Sequence, residues 1–303
     1  MIAVYGCLIP DQFLSLSTLQ AAVGTQSSLL FLALAALCPL LVGEIDLSFA
    51  SMMGVAATLV PVLEHQTGIW TACAIAVASG GLCGALNAIF VVRLRVASLI
   101  VTLGSGSLFL GLAEAMSPSG AVSLQNQQLS RAVATDVLGL PISFYFCLTL
   151  CAGMTYVLGC TPMGRSLLFV RSSREVARLA GVNVNRLRAM GYVAGGTIAG
   201  TSGVLLVGTV GGFDPSGAPA YLLPAFAAVF LGTAVVDLGR FNPMGTLLGV
   251  YFLETGIIGL QFLGYTGWVQ EAFYGAGLML AATVTMLLGR AVSGDRSETG
   301  QLR

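Results

Sequence analysis

The sequence consists largely of apolar stretches that contain no charged residue, for example 12–43, 65–92 and 137–164. A helix that crosses the lipid core needs about 20 mainly apolar residues, so each of these stretches is long enough to span a membrane. The pattern predicts an all-α polytopic membrane protein, a helical bundle of about nine to ten transmembrane helices. We place spans near 21–43, 47–64, 69–92, 96–116, 141–160, 189–209, 221–238, 243–263 and 268–289.

Composition agrees with a membrane bundle. Hydrophobic residues make up 56% of the chain and charged residues only 9%, whereas soluble domains carry about 25% charged residues. The 13 cations are all arginine and are balanced by 13 acids. A net charge of zero gives no basic surface for nucleic acid, and a chain without lysine cannot form the phosphate-binding P-loop. We therefore expect no nucleotide site on this chain.

Candidate catalytic and metal-binding residues are scarce. The chain has seven cysteines, and its single histidine, His65, lies far from the closely spaced pair Cys147 and Cys151. A metal site would need more nitrogen, sulfur or carboxylate ligands that converge on one point. We expect no catalytic residues, no metal and no cofactor, which makes an intramembrane enzyme the weakest functional class.

The arginines predict an orientation, because cytoplasmic loops of membrane proteins are enriched in positive charge. If segment 161–188 is cytoplasmic and the spans alternate, twelve arginines lie inside and only Arg131 lies outside. This predicts a multi-pass membrane protein with a cytoplasmic C-terminus. We divide it into a shortened first-helix remnant (1–20), a transmembrane domain (21–290) and a cytoplasmic tail (291–303).

Polar residues interrupt the apolar pattern at Gly43–Ser48, which reads GEIDLS. One interpretation is a polar turn at the cytoplasmic face. The other is a broken helix that lines a water-filled path, where irregular backbone is tolerated in a membrane protein. The residues that could line such a path for a hydroxyl-rich solute are Asp46, Ser48, Asn87, Thr102 and Ser105.

The longest polar segment, 161–188, predicts a short cytosolic helix over 173–180. Ser172 and Glu175 have the spacing of a capping box, and Gly181 occupies a C-cap position. The apolar face of this helix would be Val176, Leu179 and Ala180, with Arg174 and Arg178 on another face. An isolated helix this short is marginal, so it should dock, either on its own spans or on a partner protein.

Four pairs of glycines have the Gly-x-x-x-Gly spacing that lets helices approach closely. They predict helix packing and no further function. The pairs are Gly80/Gly84, Gly191/Gly195, Gly196/Gly200 and Gly245/Gly249.

Four motifs, in order, resemble the permease subunits of ribose-type bacterial ABC importers, the carbohydrate-uptake group that also serves xylose, arabinose, galactose and autoinducer-2. They are GEIDLS, NAIFVVRLRVASLIVTLGS (87–105), GRSLLFVRSSREVARLAGVNVNRLRAMGYVAGGTIAG (164–200) and LGTAVVDLGRFNPMGTLLGV (231–250). The resemblance covers about residues 12–290. It implies a permease of about ten helices in the bacterial inner (plasma) membrane, which translocates a monosaccharide or similar polyol by alternating access.

The resemblance also implies partners: a cytosolic ATPase, a periplasmic sugar-binding protein and a second permease chain, identical or different. The family's cytoplasmic helix is expected to engage the ATPase. In this chain that segment comprises Glu175, Val176, Ala177, Arg178, Leu179, Ala180 and Gly181.

The sequence departs from the family pattern at Glu44, where members usually have a second glycine, and in its late cytoplasmic loop, 235–242, where they usually have more glycine. A rival interpretation is an ion-coupled secondary transporter of a small polar solute, with Glu254 as the proton carrier. The sequence does not identify the solute.

Overall fold

The computed structural model describes residues 2–9, 13, 15, 18, 20, 23–24, 26–265 and 267–299. Within them the chain is almost entirely helical, and the few strands are two-residue pairs in loops. The helices are α1 (Ile2–Leu8), α2 (Ser27–Leu40), α3 (Phe49–Thr67), α4 (Ile69–Ala88), α5 (Ser98–Met116), α6 (Gln128–Val133), α7 (Ile142–Cys160), α8 (Pro162–Ser172), α9 (Arg174–Leu179), α10 (Val184–Val210), α11 (Leu222–Val235), α12 (Pro243–Phe262) and α13 (Trp268–Thr299).

Two further helical pieces extend this set. A π-helical turn, Ile89–Arg93, continues α4, and a 3₁₀ segment, Pro215–Tyr221, leads into α11. The strands are β1 (Val122–Ser123), β2 (Asp136–Val137), β3 (Leu140–Pro141) and β4 (Gly212–Phe213). Six helices of the described chain are long and apolar enough to cross a membrane, so the fold is an all-α polytopic one but the count of nine to ten spans is not confirmed.

The predicted span 21–43 differs most from the structure. Its described helix, α2, has 14 residues, and every one of them is buried. At 1.5 Å per residue this helix is about 21 Å long, shorter than the ~30 Å lipid core. The apolar sequence of α2 therefore packs against protein: its neighbours include α10, α11 and α12.

Helix α10 crosses α4 in close backbone contact, and glycines make this contact possible. A Cβ atom on Gly80 would lie 2.2 Å from the carbonyl oxygen of Gly196, and one on Gly84 equally close to that of Tyr192. Any side chain at Gly80, Gly84 or Gly196 would force the helices apart. The prediction that the Gly-x-x-x-Gly pairs serve packing is confirmed for these residues.

Each end of the bundle is held by contacts between segments that are distant in sequence. At one end, β1 pairs with β4, which joins the segments that follow α5 and α10. At the other end, Arg174 reaches Gly43, and the Arg171 guanidinium lies over the ring of Phe241, 4.1 Å from its centre. Helix α3 connects the two ends, since it begins after Ser48 and ends near Glu64, which accepts the backbone N–H groups of Gln125 and Asn126.

Candidate functional site

The segment 41–48 connects α2, which ends at Leu40, with α3, which begins at Phe49, and has no regular secondary structure. Gly43 has a φ of +72°, a conformation that glycine adopts without the strain other residues suffer. The segment then turns into α3, whose N-cap residue is Ser48. This places Glu44, Asp46 and Ser48 inside the bundle: their exposed fractions are 4%, 2% and 0%.

Asp46 organises the start of α3. Its Oδ1 atom accepts hydrogen bonds from the backbone N–H of Ser48 at 2.8 Å and from the Ser48 hydroxyl at 2.6 Å. The Ser48 hydroxyl oxygen in turn accepts a 2.8 Å hydrogen bond from the Asn87 amide on α4. Asp46, Ser48 and Asn87 therefore form one buried chain of hydrogen bonds, which we call the polar cluster.

Helix α5 covers the polar cluster. Its Gly106 approaches Ser48 so closely that a Cβ there would lie 3.5 Å from the Ser48 Cα atom. Thr102, one turn earlier on the same face, is fully buried, whereas Ser105 is half-buried and its hydroxyl reaches only the Thr102 carbonyl oxygen, at 3.5 Å. Hydrogen bonds thus join three of the five predicted path residues, Asp46, Ser48 and Asn87. Thr102 lies on the face of α5 that carries Gly106, whereas the Ser105 hydroxyl makes no hydrogen bond to the polar cluster.

The polar cluster and Thr102 on the neighbouring helix α5 have polar atoms that make no hydrogen bond within the described chain. Asn87 Oδ1 and Thr102 Oγ1 are buried and have no hydrogen-bond partner among the described residues. Both ion pairs of the described chain use Glu44, so Asp46 has no cationic partner there. Buried polar groups are normally satisfied by protein or ordered water, so these atoms could bind water or hydroxyl groups of a solute.

Segment 161–188 contains two helices where the sequence predicted one. Helix α8 begins after Thr161, whose hydroxyl caps Gly164 N–H, and Pro162 at the first helical position favours this start. Helix α9 follows with Ser173 as its N-cap, since the Ser173 hydroxyl accepts from Val176 N–H at 3.4 Å. The predicted capping box at Ser172 was one residue early. The predicted C-cap glycine is confirmed: Gly181 has a φ of +81° just after the helix.

The segment is anchored by residues that the predicted apolar face omitted. Ala177 of α9 is fully buried and packs in a small cluster with Val42, Leu167, Val170 and Val184. By contrast, Leu179 is 88% exposed and Val176 50% exposed. The helix thus docks on its own bundle through Ala177, and two large apolar side chains point away from it.

The arginine face of this region carries the ion pairs. Arg174 donates to the Gly43 carbonyl oxygen at 2.9 Å and to Glu44 Oε1 at 2.8 Å, and Arg188, at the start of α10, donates to the same carboxylate oxygen at 2.6 Å. Arg174, which the sequence placed away from the apolar face of the helix, therefore contacts the 40–44 turn directly. Sequence analysis missed these pairs, although the acid that replaces a family glycine and the nearby arginine-rich segment were both visible signals.

Neighbouring Arg171 makes a related contact. Its guanidinium donates to the Leu40 carbonyl oxygen at 2.9 Å, where the end of α2 leaves carbonyl groups without helical partners. Burial lowers the pKa of Arg171. Three arginines thus bind the 40–44 turn: Arg171, Arg174 and Arg188.

A family model described as "Branched-chain amino acid transport system / permease component" matches residues 19–283. The chain is 31% identical to the autoinducer 2 import system permease protein LsrD of Escherichia coli (strain K12) and to that of Shigella flexneri, over 84% of this chain and 78% of each relative. The corresponding protein of Salmonella paratyphi B is 30% identical over the same shares. No solved structure matches the chain.

Proposed function

We propose a transport mechanism that is based on one finding: the chain belongs to the family of ribose-type ABC importer permeases. It is a multi-pass membrane protein and the permease subunit of an ABC sugar importer. In such a system the permease provides the passage and a separate ATPase provides the energy. The match over residues 19–283 carries this conclusion.

The proposed solute is a monosaccharide or similar polyol. Autoinducer 2, named for the relatives at 30–31% identity, is a second candidate. The polar cluster supports a hydroxyl-rich solute, because a carboxylate and unpaired amide and hydroxyl groups can exchange hydrogen bonds with hydroxyls. We propose that Asp46, Ser48, Asn87 and Thr102 contribute to the path when the bundle opens, and that Ser105 has at most a neighbouring role.

The proposed ATPase contact is the exposed side of α9, formed by Val176 and Leu179. The Leu179 side chain is 88% exposed on this short helix. Its burial against a partner would contribute ~1.5–3 kcal/mol to the binding free energy. Because Ala177 holds the opposite side of the helix, a push on Leu179 would be transmitted to the bundle. Residues Glu175–Gly181 thus serve as the coupling element, and the nucleotide is hydrolysed on the partner.

Other partners follow from the two ends and one side of the bundle. A periplasmic binding protein would deliver solute to the end that carries β1 and β4, and the C-terminus would lie in the cytoplasm with α9. A second permease chain, identical or different, would cover apolar surface that the single chain leaves exposed. Helix α5 offers such surface through Leu99, Ile100, Leu103, Leu108 and Leu112.

The test is Leu179→Asp, produced together with the ATPase and the binding protein of the same system. We expect normal membrane insertion, loss of co-purification with the ATPase and loss of ATP-driven uptake, because a charge replaces the docking side chain. Leu138→Asp is the matched control: Leu138 is 93% exposed and lies in the loop at the opposite end.

Leu138→Asp should retain the ATPase. If Leu179→Asp binds the ATPase and transports as well as the parent protein, α9 is not the coupling element.

A further inference from the structure

Glu44 is the one carboxylate in the described chain that forms ion pairs, and it forms two. One oxygen of its carboxylate, Oε1, accepts hydrogen bonds from both Arg174 of α9 and Arg188 of α10. The Gly43 carbonyl oxygen accepts a further hydrogen bond from Arg174. Three separate elements therefore meet at one side chain: the 40–44 turn, the helix α9 and the second turn of α10.

The two ion pairs differ in exposure. The Arg188 side chain is 14% exposed and that of Arg174 is 42% exposed, whereas Glu44 itself is 5% exposed. A pair that is shielded from water is costly to break, because separation leaves a buried charge without a partner. A pair that is open to water is weak and can be exchanged for hydration at little cost. Arg188 therefore holds Glu44 in place, and Arg174 is the contact that can be released.

The position of Glu44 connects this release to the polar cluster. Asp46 lies two residues further along, and it fixes the start of α3 and, through Ser48, the amide of Asn87. The connecting segment is short and enters α3 directly at Phe49. A displacement of Arg174 would therefore be felt at residues that we place on the solute path.

We propose that Glu44 is a positioning residue of the transport cycle, which links movement of α9 to the 41–48 segment through the Arg174 ion pair. This inference rests on the proposed permease function and on α9 as the ATPase contact. In the resting state Arg174 holds α9 against the turn. When the ATPase moves α9, the pair opens, and the 41–48 segment is freed from one of its two cations.

The test compares Glu44→Gln and Arg174→Gln with the parent chain, each assembled with its ATPase and binding protein in sealed vesicles. The measurements are solute uptake and ATP hydrolysis. We expect both variants to retain the ATPase and to hydrolyse ATP, with uptake per ATP reduced about tenfold, within the usual range of a coupling free energy between two sites. The double variant should be no worse than Glu44→Gln alone, because both changes remove the same link.

Arg165→Gln is the matched control, since it removes a charge at an exposed position of α8, outside the coupling element. It should leave uptake per ATP unchanged. If Glu44→Gln fails to assemble, Arg174→Gln alone decides, because its side chain is far more exposed. If the variants lower folded yield, uptake and hydrolysis in equal proportion, the ion pairs only support the fold and the proposal is wrong.

The two proposals fail differently. If Glu44→Gln and Arg174→Gln keep the parent's uptake per ATP while Leu179→Asp loses the ATPase, only the role of Glu44 is overturned. ATPase binding retained in Leu179→Asp removes the premise itself.

Discussion

Helices α10 and α5 are both long, apolar and rich in glycine, yet they use their glycines in opposite ways. In α10, Gly196 lies against the backbone of α4 so closely that a Cβ would lie 2.2 Å from the Gly80 oxygen. In α5, Gly104 and Gly111 have nothing within 4 Å of the position a Cβ would occupy. Only Gly106 of α5 faces the bundle, next to Ser48.

The difference separates two kinds of apolar helix. Helix α10 is buried by its own chain and contributes to the fold through close backbone contacts. Helix α5 has one buried stripe, formed by Thr102, Gly106, Phe109 and Ala113, and an outer face of exposed leucines. That outer face is available to lipid or to another chain, so hydropathy alone does not tell what an apolar helix contacts.

The largest expected effect comes from Gly196→Leu. The new side chain would enter the backbone of α4, and overpacking costs ~1–3 kcal/mol even where side chains can adjust. Here the obstacle is main chain, so we expect loss of the folded bundle. The measurement is the yield of monodisperse protein in detergent and its thermal unfolding midpoint. A variant as stable as the parent protein would show that the α4–α10 crossing is looser than described.

Phe109→Ala should have an intermediate effect. Phe109 is 2% exposed on the inner stripe of α5, and removing a buried aromatic ring typically costs ~3–5 kcal/mol. The matched variant is Leu108→Ala, since Leu108 is adjacent and 59% exposed. Thermal unfolding of both variants in the same detergent measures the difference. Equal destabilisation would contradict the assignment of inner and outer faces.

The smallest effect on the fold is expected for Gly111→Leu. The position is open and helical, glycine is less favourable than alanine in a helix by ~0.8–1 kcal/mol, and leucine ranks close to alanine. We expect the unfolding midpoint to be unchanged or slightly raised. Association between permease chains, measured by cross-linking in membranes, should change if α5 faces a second chain. A collapse of stability would mean that Gly111 contacts its own bundle.

The sequence predicted most helices well where their ends carry local signals. Helix α7, predicted at 141–160, follows Pro141 and ends before Pro162, and the structure has it at Ile142–Cys160. Helix α8 was missed although Thr161 and Pro162 are an N-terminal signal, because the segment was treated as one polar loop. Helix α13 begins where the last span was predicted, at Trp268, and continues to Thr299.

The candidate site was only partly predictable, for a physical reason. The path residues could be named by type and depth, and neighbouring positions such as Asp46 and Ser48 could be expected to interact. The pairing of Glu44 with Arg174 joins residues 130 positions apart. No spacing rule reaches that far along a chain. Only the opposite charges and the predicted location of both segments on the cytoplasmic side pointed to the pair.

The complete burial of α2 has a consequence for biosynthesis. This helix is made early, but one of its main neighbours, α10, begins at Val184. At ~5–20 residues per second, the 143 intervening residues, 41–183, take on the order of 10–30 s to synthesise. During that interval lipid or the insertion machinery must contact the apolar surface of α2, because its later protein neighbours have not yet been made. The centre of the bundle is therefore enclosed only after much of the second half of the chain has been synthesised.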